Sequence, residues 1–378
     1  SGLVTFAADP YYFAAPENEW DELVLPYLPP SLVVHDGAAI EGLFEGQAPG
    51  RPIAWAVWLP VFAAWLPFLA SLSVAMVASM VILRKQWVEN ERLIYPLTVV
   101  PVAMTEEGDR GKGLGPFYRN PVMWLGFAIP AVWGTLHGLY NYFPDLLVMA
   151  RDVDMVHLDL PLFRNATTLK FYFRFNILGF FYFLKTEIAF SLWFFNLVAK
   201  ALSGTFSVLG VHCSDRVLDS AIGDSVLTYN SVGAMAVLFV GGLWTARHHL
   251  GSVLRKALYN DPRVDDSDEI LSYRAAVLLL AGSTAVMVWW LWSMGMPLWA
   301  VAVLLGTAAM LLVGYTRVVA ESGLSDAQLP VIPAGVLISA VGSSALGPKG
   351  LAALATTYVW TYGFRSFVMT SAANALKL

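Results

Sequence analysis

The stretch Ile53–Leu83, IAWAVWLPVFAAWLPFLASLSVAMVASMVIL, contains no charged side chain and is closed by Arg84 and Lys85. A helix rises about 1.5 Å per residue, so these thirty-one residues exceed the roughly 30 Å hydrocarbon core of a bilayer. The run reads as a membrane span with room for tilt, or for a kink at Pro60 or Pro67. Trp55 and Trp58 stand where indole rings favour the headgroup level, and the basic pair marks a cytoplasmic end. The span is therefore predicted to run from outside to inside.

Composition extends that reading to the whole chain. Hydrophobic residues make up 57% of the 378 positions and charged residues 13%, about half the share of an ordinary soluble domain. The net charge of -5 is spread through loops and forms no basic stripe, so nucleic acid is not an expected partner. One cysteine, Cys213, excludes an internal disulfide framework and any multi-thiolate centre. The six histidines form no metal-ligand spacing. His137, alone in an apolar segment, could ligate haem or chlorophyll, but its default reading is an interhelical hydrogen-bonding group. No metal and no cofactor are expected, and no nucleophile motif or phosphate-binding loop marks an enzyme.

Residues 1–50 are polar and proline-containing and are read as an extracytoplasmic segment, with Glu17, Glu19, Asp21 and Glu22 in a solvated turn. Residues 51–378 are read as a transmembrane helical domain. After the first span, apolar segments occupy about 121–143, 175–201, 226–246, 275–294, 297–320, 329–346 and 350–370. The last two are short and glycine-rich, separated by Gly347-Pro348-Lys349-Gly350, and suit a helical hairpin or a re-entrant element. The other segments and the first run give six spans. The expected fold is all-α, a polytopic transmembrane bundle with re-entrant or broken helices.

Basic residues also constrain the topology. Arg84, Lys85, Arg92, Arg110, Lys112 and Arg119 crowd one loop, and Arg247, Arg255, Lys256, Arg263 and Arg274 another, so both are expected in the cytoplasm. Three spans lie between these loops, which by parity would place them on opposite sides. One element between them must therefore enter and leave on the same side, cross unnoticed or violate the charge rule, with Leu93–Met104 and Leu202–Val226 the candidates for a re-entrant or broken helix.

Charges inside apolar segments are the candidate chemistry. Lys185 and Glu187 fall within 175–201, where an unpaired charge costs at least about 2.5–3.5 kcal/mol. Helical spacing aligns Glu187 with Asn176 and Ser191, and Lys185 with Asn196, a set that could bind substrate or a coupling proton, or form a structural inter-helix pair. Arg317 and Glu321 stand at i and i+4 and are expected to pair. Arg365 in the last segment could pair or reach the interface.

The stretch Arg84-Lys85-Gln86-Trp87-Val88-Glu89-Asn90-Glu91-Arg92-Leu93-Ile94-Tyr95-Pro96-Leu97 resembles a signature of bacterial multi-pass membrane proteins that look like distant relatives of the oligopeptide transporter superfamily. Supporting stretches are Ser191-Leu192-Trp193-Phe194-Phe195, Arg317-Val318-Val319-Ala320-Glu321-Ser322-Gly323-Leu324 and Tyr362-Gly363-Phe364-Arg365-Ser366-Phe367-Val368-Met369. The Asn-Pro-Gly motif of well-studied oligopeptide transporters is absent. The resemblance implies a longer protein in the bacterial inner membrane. Opening on Ser1 and closing on Leu378 just after an apolar segment points the same way.

These readings lead to a secondary transporter of a small polar or peptide-like solute, proton-coupled through Glu187. Glu89, Glu91 and Arg92, with Arg317, Glu321 and Arg365, would then be gating or structural ion pairs. The competing expectation is a non-transporting integral subunit of a larger membrane complex. Expected partners are membrane lipid, a small solute with protons, and a homo-oligomer or larger assembly.

Overall fold

The computed structural model describes residues 2–47, 50, 52–105, 115–143, 157–163, 167–172, 178–179, 181–211, 225–324, 331–361 and 368–377. Among them, α1 (Gly2–Tyr12) and α2 (Gly37–Phe44) precede the long helix α3 (Trp55–Lys85). The short α4 (Val99–Thr105) and the apolar α5 (Pro121–Tyr140) come next. Strands β1 (His157–Leu162) and β2 (Thr167–Tyr172) then lead to α6 (Thr186–Val208). Four further helices follow as α7 (Ser225–Tyr259), α8 (Tyr273–Ser293), α9 (Leu298–Ser322) and α10 (Pro333–Val341). The chain closes with α11 (Gly347–Thr356) and α12 (Val368–Ala375). Six of these helices, α3 and α5 to α9, are long and apolar enough to cross a membrane, and the protein is an all-α integral membrane bundle.

The chain divides into two compact units, Ser1–Asn90 with Ser214–Tyr315 and Gln328–Ala373, and Glu91–Cys213 with Thr316–Ala327 and Asn374–Leu378. In the first unit α3 and α8 form the principal helix pair. Phe68 stacks obliquely on Trp290 at 4.7 Å and on Trp360 at 5.4 Å, and Trp65 meets Trp290 at 5.2 Å. Lipid tails are as apolar as these rings, so helices here associate through close packing and hydrogen bonds. Each aromatic pair adds about 0.5–1.5 kcal/mol, and Trp290 Nε1 donates to Ala64 O at 3.0 Å.

The N-terminal segment docks on the same helix. Trp65 Nε1 donates to Leu32 O at 3.3 Å and its ring meets Phe6 edge-on at 5.9 Å. Glu17, Glu19, Asp21 and Glu22 are exposed.

Helix directions follow from these contacts. Trp290, near the end of α8, lies beside Ala64, near the start of α3, while Glu269, just before α8, pairs with Arg84 at the end of α3. The two helices are therefore antiparallel. His249 of α7 donates a ring N–H to Ile82 O at 2.8 Å, which brings the C-terminal part of α7 to the C-terminal end of α3. In α9 a Cβ on Gly314 would come within 3.2 Å of Met235 Sδ, so glycine permits the close approach of α7 and α9.

Arg84, Lys85 and the segment before α8 thus share one end of this unit, and α7 starts at the other. By this orientation the chain between Asn90 and Ser225 changes sides, and its described residues hold two long apolar helices, α5 and α6, an even number. Pro96–Thr105 is an apolar helical stretch too short to span alone.

In the second unit β1 and β2 pair antiparallel, with Asp159 opposite Lys170. Phe163, which follows β1 with φ 50°, lies over Gly204 of α6 and leaves no room there for a Cβ.

Two boundaries depart from the sequence expectations. Within the segment expected over 175–201 a long helix begins at Thr186, and Lys185 is its extended N-cap residue. Helix N-termini favour acidic side chains, so starting at Thr186 places Glu187 in the first turn instead of mid-span. The residues Gly347–Gly350 form the first turn of α11, with Pro348 suited to a position that needs no N–H donor. Helices α10 and α11, of nine and ten residues, are too short to cross individually.

Candidate functional site

Helix α3 does not end cleanly. Its last residues pass into a π-helical turn, Gln86–Asn90, in which Asn90 Nδ2 donates to Gln86 Oε1 at 2.9 Å. The chain then takes left-handed conformations at Arg92 (φ 54°) and Tyr95 (φ 52°). Each costs a non-glycine residue of order 1–3 kcal/mol, a strain that persists only where surroundings enforce it. At Tyr95 the enforcement is visible. Its N–H donates to Ala320 O at 2.9 Å, its side chain is 1% exposed, and its carbonyl accepts from Thr98 Oγ1 at 2.8 Å.

Within the second unit, this segment seats against the end of α9. Gly323 closes that helix with φ +66°, donating to Val319 O at 2.8 Å. Pro96 fills the space beside it, so a Cβ on Gly323 would meet Pro96 Cβ at 2.6 Å.

The same docking sets Glu91 against Arg317. Glu91 Oε2 lies 2.5 Å from Arg317 Nη2, and the side chains are 12% and 21% exposed. Arg317 Nη1 is buried without a hydrogen-bond partner among the described residues. This corrects the expected Arg317–Glu321 pair. Glu321 is exposed, where an i,i+4 pair contributes only about 0.3–0.5 kcal/mol, whereas Glu91 offers a less screened carboxylate.

The remaining sequence candidates do not converge. Lys185, Glu187, Ser191 and Asn196 are exposed on or just before α6, and Ser191 Oγ donates to Glu187 O at 2.8 Å. Glu89 and Arg92 are also exposed. Asn176 and Arg365 lie outside the described residues, as do Arg110 and Lys112.

Sequence reasoning missed a second polar constellation, at the end of the first unit that carries Arg84 and Lys85. Arg84 pairs with Glu269 at 3.4 Å, and Lys256 with Asp266 at 3.4 Å. Glu269 also accepts from Tyr273 Oη at 3.3 Å, and Asp266 from Tyr273 N at 3.1 Å. Asp265 accepts from the N–H and hydroxyl of Ser267, which together with Lys85 and Lys256 hold its carboxyl below the usual range. The basic residues were legible as topology markers. Their acidic partners were not, because a run such as Asp265-Asp266-Ser267-Asp268-Glu269 reads as a solvated loop.

No group of three or more potential metal ligands occurs among the described residues. No curated protein and no solved structure matches the chain. The chain belongs to a family described as Family of unknown function (DUF6785), whose profile matches residues 2–378.

Proposed function

We propose that the protein is a secondary transporter of a small polar or peptide-like solute, in which Glu91 and Arg317 form an interfacial gate. The observation that carries this reading is the ion pair between a discontinuous segment and the end of a long helix. A π-turn followed by two left-handed residues interrupts helical continuity without an intervening glycine. Broken helices of this kind supply sites and hinges in transporters. Loss of the Glu91 charge would release Arg317, so in a proton-coupled cycle Glu91 is a better coupling group than Glu187, which stands exposed in a first helical turn.

The experiment is a distance measurement on Val99→Cys with Glu321→Cys, exposed positions that leave Glu91 and Arg317 in place, spin-labelled in proteoliposomes with and without an imposed proton gradient. A gate gives two distance populations whose ratio responds to the gradient. A single distance unmoved by the gradient, with no counterflow of any polar solute or peptide tested, would sink the proposal.

A second reading, a non-transporting subunit of a larger complex, is supported by α5 and α6. The share of their apolar windows buried within the chain is 0% and 6%, which leaves faces such as Phe190, Trp193 and Phe194 for other helices or lipid. Native mass measurement after mild extraction distinguishes the two. Stoichiometric foreign subunits favour this second reading, and a monomer or homodimer favours the transporter.

A further inference from the structure

The cleft at the Arg84–Lys85 end of the first unit encloses about 480 Å³, within the range of about 300–1,000 Å³ usual for small-molecule sites. Lys85, Asn90, His248, Ser252, Arg263 and Asp265 are among the residues that line it. Its donors and acceptors are unequal in what they have left to offer. The nearby carboxylates are engaged, Asp266 with Lys256, Glu269 with Arg84 and Tyr273, and Asp265 with Ser267. Glu89 and Asp268 are exposed exceptions.

On the cationic side, Lys85 Nζ spends one donor on Asp265 O at 3.3 Å. The Arg263 guanidinium and the His248 ring have no partner among the described residues. A wet cleft with unspent guanidinium, ammonium and imidazole donors is matched by a compact, multiply accepting oxyanion. Its place at the end of the spans is headgroup depth.

We infer that this cleft binds a phosphate group, presented by an anionic lipid headgroup or as a free ion. The inference does not rest on the Glu91–Arg317 gate and stands whether or not the protein transports.

The full chain, extracted and exchanged into equal phosphatidylglycerol and phosphatidylcholine, is examined by native mass spectrometry, and inorganic phosphate is titrated calorimetrically in detergent. Arg263→Gln with His248→Gln is compared with Arg247→Gln, whose guanidinium stacks on Trp244 at the same end, 4.9 Å from the ring centroid. Preferential retention of phosphatidylglycerol, lost at least tenfold in the double variant and kept in Arg247→Gln, establishes the lipid source. Phosphate binding lost in the same pattern without lipid preference establishes the free ion. Neither preference nor phosphate binding, or equal loss in both variants, overturns the inference. Unchanged thermal unfolding verifies the fold, and if the double variant does not fold, His248→Gln alone carries the comparison.

Discussion

Arg317 passes over Glu321, one turn further along its own helix, and pairs with Glu91 from the segment that follows the first span. A double-mutant cycle on thermal unfolding in detergent tests that choice. Arg317→Ala and Glu91→Ala should each cost about 1–3 kcal/mol, since each strands a largely buried partner, and their combination should cost clearly less than the sum. Arg317→Ala with Glu321→Ala should be additive within about 0.5 kcal/mol. The reverse pattern would restore the helical pair and remove the gate.

Gly323 is expected to be intolerant of a side chain. Gly323→Ala places a Cβ 2.6 Å from Pro96 at a φ of +66°, so it should lower stability by about 1–2 kcal/mol. Gly306→Ala, in open space within α9, should be neutral or stabilise by up to about 1 kcal/mol. Equal unfolding temperatures for the two variants would show that the Pro96 seat does not form.

The two basic segments should share one side of the membrane. Single cysteines at Asn90 and Ser267 should react with an impermeant thiol reagent from the same face, and a cysteine at Lys349, beside Gly295 after α8, from the other. Labelling of positions 90 and 267 from opposite faces would overturn the helix directions derived from Arg84–Glu269 and His249–Ile82.

The loop before α8 should loosen in acid. Ser267, Lys85 and Lys256 hold the Asp265 carboxyl below its ordinary 3.8, so its contribution to loop order is present above that value. It is lost as pH falls through the lowered pKa. Pepsin cleavage near residue 265 should therefore rise at a lower pH in the wild type than in Ser267→Ala. Coincident profiles would show that Ser267 does not hold this carboxylate.

The chain alone determined that this is a helical membrane protein, because uninterrupted apolar length is a one-dimensional property and bilayer thickness supplies the ruler. Among the described residues six long apolar helices stand where six such segments are legible, and the basic residues in the last turns of α3 and α7 announce which ends lie together. Where α6 begins was not legible. Apolar residues continue upstream of Lys185, and only the observed helix start shows that Lys185 and Glu187 sit at an end instead of mid-span. Only the tertiary structure decided which charges meet. Local spacing offered Arg317 a neighbour at i+4, but a left-handed Tyr95, anchored to Ala320 O, brings a distant carboxylate into a less screened position. Ion-pair strength depends on burial and dielectric, and those belong to the packed chain, not to the spacing of its residues.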